Sequence, residues 1–251
     1  MLKSILKQTV AHLWRPTITV NWIRQGSDSW MARYLRQGSQ RIRADRRAAK
    51  IERLSARNEK LGSQKVLDAY LELENHHGRP DTRTPSEVRC SFRMGNFFSH
   101  VVRLRRPELI VEFGAAFGVS GMYWLSGLET NGKGKLLSFE PNEIWAATAE
   151  MNLAVIGSRF KMIKGTFEDH IDAELKDGEK IGIALIDAIH TDAFVLPQFE
   201  LIAERLAPGG LVLVDDIHFK GMNQCFDKIA TDPRVKSSAV LCDHVGMVEF
   251  K

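Results

Sequence analysis

Downstream of Pro107 the chain alternates between two hydrophobic periods. Short, nearly unbroken apolar runs lie at 109–113, 135–139, 160–164, 182–186 and 210–214. Their length and content of branched residues suit strands covered on both faces. The stretches between them, 118–128, 142–155, 167–175 and 191–206, read as helices. Strand and helix in alternation predict an α/β architecture with a doubly wound, mostly parallel sheet. A further helix is expected over 220–231. Two short strands, 236–242 and 245–250, flank Asp243-His244. So short a connection requires an antiparallel hairpin, which brings the expected sheet to seven strands.

Upstream the pattern is looser. Residues 39–75 read as helical, with a break at Gly62-Ser63. Ile51, Leu54, Leu67, Tyr70 and Leu71 form an interrupted apolar stripe there. Residues 1–38 hold Trp14, Trp22 and Trp30, and Pro16 and Gly26 interrupt any long helix. A polar hinge, 76–85, precedes another expected helix from Ser86 to Arg105, which carries Phe92, Met94, Phe97, Phe98, Val101 and Val102. The expected division is a helical arm over 1–85 and an α/β domain over 86–251.

Composition sharpens this division. The chain has 251 residues, 44% hydrophobic, enough for one sizeable α/β domain with an appendage. Its net charge is +4, but residues 1–65 hold 15 Lys and Arg against 4 Asp and Glu. That excess of 11 leaves the remainder at −7, so arm and body are expected to do different jobs. No apolar run approaches the ~20 residues of a membrane span. Lys3, Lys7 and His12 interrupt the first residues and argue against a cleavable leader. Cys90, Cys225 and Cys242 show no paired spacing. They read as reduced thiols, consistent with a cytoplasmic protein.

The candidate chemistry lies at the carboxyl ends of the expected strands, where open α/β sheets bind ligands. The turn VEFGAAFGVSG links the first of them to a helix. Gly114 lets backbone approach a ligand, and Gly118 opens the helix where free N–H groups favour an anion. Ser120 adds a hydroxyl. The spacing is ExGxxxG, from Glu112, Gly114 and Gly118, rather than the nicotinamide pattern GxGxxG. Glu140 ends the second strand, where an acid can accept both hydroxyls of a ribose. Asp187 closes IGIALID, and Asp215 and Asp216 close GGLVLVDD. Three carboxylates in one crevice suggest a cation, and hard oxygen donors favour Mg²⁺, or else Mn²⁺ or Ca²⁺. An alternative is that some of these acids cap helices or pair with Arg205. His190, three residues past Asp187, titrates near neutrality and suits a general base.

Together these motifs resemble class I S-adenosylmethionine-dependent methyltransferases, from about residue 107 to 251. More narrowly they are similar to the catechol O-methyltransferase type and to the macrocin and mycinamicin sugar O-methyltransferases. The resemblance implies a Rossmann-like sheet ending in the antiparallel hairpin. It implies that Glu112 lies near the methionine ammonium, Gly114 under the cofactor and Ser120 at the methionine carboxylate, with Ala115 and Gly118 also among the cofactor-binding residues. It puts Glu140 at the ribose and Phe167 and Glu168, from KGTFED, at the adenine, with Pro141 and Thr166 also among the cofactor-binding residues. Ordinary core packing is the alternative for Phe167. Asp187 falls where cofactor and metal sites meet, and Asp187, Asp215 and Asp216 match the metal ligands. The catechol enzymes carry Asp-Asn at the last pair, whereas Asp215-Asp216 matches the sugar enzymes. His190 stands where those enzymes have a histidine base and the catechol enzymes a lysine.

The expected activity is therefore metal-dependent transfer of a methyl group to a hydroxyl of a small molecule, with a vicinal diol of a sugar or natural product favoured. A homo-oligomer, dimer or larger, is the expected assembly. The basic arm leaves two rivals open. One is a nucleic-acid methyltransferase, against which stands the absence of an aromatic-interleaved RNA module or an NPPY motif. The other is a binding protein that has kept the cofactor fold without turnover. His218 reads as a supporting or solvated residue, His76-His77 as hinge residues, and Arg79, Arg83 and Arg89 as the border of a lid.

Overall fold

A computed structural model describes residues 15–71 and 80–251. Trp14, His76-His77 and Arg79 lie outside them.

The chain opens with strand β1 (Thr17–Arg24), a one-turn helix α1 (Trp30–Tyr34) and strand β2 (Gly38–Arg41). Helix α2 (Ala48–Asn58) continues into a 3₁₀ turn at Glu59–Leu61. A small ladder, β3 (Gln64–Lys65) with β4 (Thr82–Arg83), and the short helix α3 (Asp68–Leu71) precede α4 (Phe92–Arg105). The alternating region follows as β5 (Leu109–Phe113), α5 (Val119–Asn131), β6 (Lys135–Phe139), α6 (Glu143–Ile156), β7 (Phe160–Ile163) and α7 (Phe167–Glu174). It continues as β8 (Ile181–Ile186), α8 (Asp192–Ala203), β9 (Leu206–Val214), α9 (Met222–Thr231), β10 (Val235–Leu241) and β11 (Val245–Phe250).

The main sheet has nine strands in the order β2-β1-β10-β11-β9-β8-β5-β6-β7. Strands β5 to β9 run parallel, and β11, β10, β1 and β2 are added antiparallel. The parallel strands and the terminal hairpin stand where the apolar runs put them. The strand count corrects the expected seven. The extra pair comes from the arm, which is not wholly helical: Thr17–Arg24 and Gly38–Arg41 are strands, and of the expected helix over 39–75 the described part, up to Leu71, holds Ala48–Asn58 and two short turns. TITVNWIR is rich in β-branched residues and buries Ile18 and Val20 on one face. Those are strand signals, and they win because the edge of β10 is there to pair with.

Two cores sandwich the sheet. Helices α2, α4, α5 and part of α6 cover Ile110, Ile183, Leu185, Leu211 and Leu213 on one face. Helices α7, α8 and α9 cover Val111, Phe113, Ala184, Val212 and Val214 on the other. The chain winds outward from β5 to β7, then returns to place β8 on the other side of β5. The crevice at this switch point opens between the ends of β5 and β8, where Asp187 N–H donates to the Phe113 carbonyl (3.1 Å).

Candidate active site

A cavity of about 400 Å³ lies over that crevice. Its floor is made by the strand ends: Gly114 and Ala116 after β5, Glu140 and Asn142 after β6, Asp187 to His190 after β8, and Asp215 and Asp216 after β9. Its roof comes from Val66, Leu67, Arg83 and the segment Glu87–Ser91.

The glycine turn is tightly determined. Gly114 has φ +84°, and a Cβ there would stand 2.0 Å from the Asp187 carbonyl oxygen. Only glycine fits so close to a neighbouring strand in that conformation. Gly118 begins α5 at φ +81°, where a Cβ would press on Ala149 of α6 at 3.0 Å. Ala116, between them, also has a positive φ of 46°. That turn aims the Ala116 N–H at Glu140, whose carboxylate accepts from Ala116 N (2.8 Å) and Asn142 N (2.9 Å). Glu140 is 5% exposed. Burial raises its pKa to about 7, against the lowering effect of those two N–H donors.

The acids behind β8 and β9 form the second half of the floor. The carboxylate of Asp215 accepts from the Asp216 N–H (2.9 Å). Asp216 holds φ 52°, an uncommon state for a residue with a side chain. Burial, then repulsion from Asp187 and Asp216, pushes the Asp215 carboxyl up to about 8. Burial likewise raises Asp187 well above its ordinary value, and Asp216, Glu112 and Glu140 add to the shift. His190 Nε2 stands 3.4 Å from Asp187 Oδ1 and 3.8 Å from Asp216 Oδ2, and its ring meets Phe219 edge-on at 5.5 Å. His218 is half exposed, with Nδ1 3.7 Å from Asp216. Arg205 is engaged elsewhere, with Asp172 and Glu204. Among the described residues no three His, Cys, Asp or Glu side chains meet at metal-ligand spacing.

Of the sequence-derived candidates, Gly114, Glu140, Asp187, His190, Asp215 and Asp216 line the cavity. The others do not. Glu112 is wholly buried beneath the turn, where its carboxylate accepts from Ser138 Oγ (2.6 Å). Burial raises its pKa, and hydrogen bonds from Ser138, Ser120 and Trp124 hold it back. Ala115 is buried and its N–H donates to the Phe139 carbonyl, while Gly118 and Ser120 sit in the first turn of α5 and Pro141 follows Glu140. Thr166 caps α7, accepting from Asp169 N. Phe167 is 1% exposed and stacks on Phe113 at 3.8 Å, with Phe139 edge-on at 5.5 Å. Its side chain is thus part of the core rather than the cavity wall. Glu168 accepts from Gln198 Nε2 (2.7 Å).

Several lining residues carried no motif. His244 comes from the hairpin turn between β10 and β11, Trp145 from α6 and Phe219 from the loop before α9. The roof arginine Arg89 clamps Glu52 of α2 through two bonds of 2.8 and 2.9 Å and also donates to Ser55. Tyr123 of α5 donates to the same Glu52 (2.9 Å). For Arg89 the signal was the arginine-rich border of the hinge, which named the segment and not its partners.

Comparison with known proteins agrees with this geometry. A family model described as a methyltransferase domain matches residues 111–217. A protein of Mycobacterium sp. (strain JLS) named "Putative O-methyltransferase" is 31% identical over 146 residues, 57% of this chain and 63% of its own length. A protein of the same name from Mycobacteroides abscessus is 31% identical over 144 residues, 57% of this chain and 64% of its own. The chain therefore spans a little under two thirds of the length of these relatives. Among solved structures, an O-methyltransferase from Bacillus cereus in complex with S-adenosylhomocysteine superposes with a TM-score of 0.59 at 19% identity, over 88% of this chain and 96% of that one. TomG from Streptomyces achromogenes, an O-methyltransferase of tomaymycin synthesis bound to S-adenosylmethionine, gives 0.56 at 17% identity, over 80% and 99%. Residues 111–217 thus match a methyltransferase-domain model, and the chain shares its α/β fold with these solved O-methyltransferases.

Proposed function

We propose that the protein is an S-adenosylmethionine-dependent O-methyltransferase acting on a hydroxyl of a small molecule, with a vicinal diol of a sugar or natural product as the acceptor class. The observation that carries this reading is the convergence of Glu140, Asp187, His190, Asp215 and Asp216 on one cavity beside the glycine turn. The names of the relatives and the S-adenosyl ligands of the solved neighbours support the same reaction class.

The residues suit the cofactor. Glu140 would accept from the ribose hydroxyls at the cavity floor, and Gly114 puts no side chain where the turn passes the end of β8. Glu112 lies beneath that turn and adds negative potential toward an ammonium group. When bound, the cofactor supplies an electrophilic methyl on a sulfonium. The donor set also suits a divalent cation, first of all Mg²⁺, which Asp187, Asp215 and Asp216 would hold and which would supply Lewis acidity at an acceptor oxygen. Asp187 and Asp215, whose carboxyls are raised by burial and then by neighbouring acids, would be relieved by a cation in their midst.

The protein's own part is positioning and proton transfer. His190 takes the acceptor hydroxyl's proton at an imidazole nitrogen, and Asp187 and Asp216 beside it stabilise the imidazolium. The roof of Val66, Leu67, Val88 and Met94 covers the cavity with apolar groups, which limits water at the reacting centre.

The deciding experiment is calorimetric titration of S-adenosylmethionine into the protein, with Mg²⁺ and with EDTA, followed by a turnover screen of vicinal diols. Micromolar binding and cation-dependent turnover are expected. Absence of binding in both conditions would overturn the reading, and turnover indifferent to EDTA would remove the cation from it. His190→Ala is expected to lower turnover by about 10²-fold or more with cofactor affinity unchanged. Near-normal turnover in that variant would end the base assignment.

A further inference from the structure

Away from the cavity, two neighbouring helices carry complementary surface stripes. On α2 and its 3₁₀ extension Lys50, Arg53, Arg57 and Lys60 are all exposed, as is Arg46 in the turn that leads into the helix. Their spacing of four, three, four and three residues puts them on one helical face. The opposite face carries buried Ala48, Ile51, Leu54, Ser55 and Asn58. The acids of this segment lie to one side and are engaged: Glu52 with Arg89 and Tyr123, Glu59 with Ser86. Among the described residues Arg46, Arg53, Arg57 and Lys60 form no ion pair.

On α6 the outward face is apolar. Ile144, Met151 and Val155 are 60%, 65% and 46% exposed, with Ala147 and Ala154 exposed beside them. Three of the few large exposed hydrophobic residues thus stand in one row, which is unusual for a surface without a partner. The two helices touch. Lys50 Nζ donates to the Val155 carbonyl (2.7 Å), and Asn152 Nδ2 donates to Asn58 Oδ1 (3.1 Å). The apolar row therefore borders the basic stripe. Glu143 and Glu150 lie on the flank of α6 away from α2, with Glu150 4.0 Å from Lys164.

We infer that this surface, formed by α2 and α6, docks the protein onto an anionic lipid bilayer. A row of exposed apolar side chains beside a polybasic face suits that plane, because the first can enter the acyl boundary while the second meets the headgroups. A second copy of the chain is a poorer occupant, since a two-fold contact would set the basic stripe against itself. An RNA strand would neutralise the cations but would leave the apolar row in water. No helix of the described residues is long and apolar enough to cross a membrane, so the contact proposed is peripheral. It does not depend on the reaction performed in the cavity.

The test is cosedimentation of the full chain with phosphatidylcholine vesicles, with and without phosphatidylglycerol, at low and high salt. Binding is expected only to the anionic vesicles and is expected to be released by salt. Arg53→Glu with Arg57→Glu should weaken it at least about tenfold, and Met151→Ser with Val155→Ser by about fivefold. Melting temperature and cofactor affinity, which should stay unchanged, show that these variants are folded. No binding to anionic vesicles would overturn the inference. So would vesicle binding that survives the serine substitutions, RNA binding in place of vesicle binding, or a dimer that Met151→Ser dissociates.

Discussion

Glu140 is the residue whose environment makes the sharpest prediction. Its carboxyl titrates near 7 instead of 4.5 because burial disfavours the charge. A raised carboxyl pKa means that the folded state holds a proton the unfolded chain has lost between those values. Stability contributed by this group therefore falls as pH rises from about 4.5 to about 7, by up to ~3 kcal/mol, and levels off above. Cofactor binding should run the other way, since the ionised acid is the better acceptor for ribose hydroxyls. S-adenosylmethionine affinity is expected to rise through pH 7 and flatten by about pH 8, and Glu140→Gln should bind weakly with no such rise. Calorimetry across pH checks both, and an unchanged pH profile in Glu140→Gln would count against the ribose role. Gly114→Ala forces a Cβ to 2.0 Å from the Asp187 carbonyl at positive φ. A loss of more than about 2 kcal/mol in denaturant titration is expected, with cofactor binding abolished.

At the scale of elements, the arm is bolted to the end of the chain by backbone groups that need partners. The first N–H groups of α1, on Trp30 and Met31, donate to the Glu249 carboxylate of β11 at 2.8 and 2.7 Å. Both Met31 and Glu249 are almost fully buried. Glu249→Ala would leave those donors without an acceptor, and a destabilisation of about 2–3 kcal/mol is expected in thermal or urea unfolding. Arg24 of β1 does similar work at the C-terminus of α9, donating to the carbonyls of Thr231, Asp232 and Val235. The unpaired carbonyls of a helix end favour such a cation.

For the whole molecule, the arm completes the sheet and roofs the cavity. Strand β1 covers the edge of β10, and Ile18 and Val20 are fully buried in the core it shares with the domain. Asp45, also buried, accepts from Ser99, from Ser126 (2.8 Å) and from the Arg47 N–H (2.6 Å), linking arm, α4 and α5. A chain lacking residues 1–65 would expose the β10 edge and this polar network. It is expected to aggregate or melt well below the full chain, with no cofactor binding. A stable truncated protein with unchanged cofactor affinity, judged by sedimentation and calorimetry, would show the arm to be dispensable.

Much of this was legible in the sequence because it was written locally. Short apolar runs of about five residues, several flanked by glycine or an acid, read as buried strands, and Asp187, Asp215, Asp216 and Glu140 follow those runs directly. The hairpin was forced by the three-residue connection Cys242–His244. The rest depended on pairings between distant residues. Asn21 meets Asp243 across 222 positions and Trp30 meets Glu249 across 219, and no local period announces such contacts. Strand β1 exists because an edge was waiting for it. The side chain of Phe167 packs inward because Phe113 and Phe139 offer a stacking partner and an edge. The order of strands, the left-handed turn at Asp216 and the raised pKa values of Glu140, Asp187 and Asp215 likewise arise only when separate strand ends are brought to one crevice. Burial and mutual repulsion are properties of that neighbourhood and of no single residue in it.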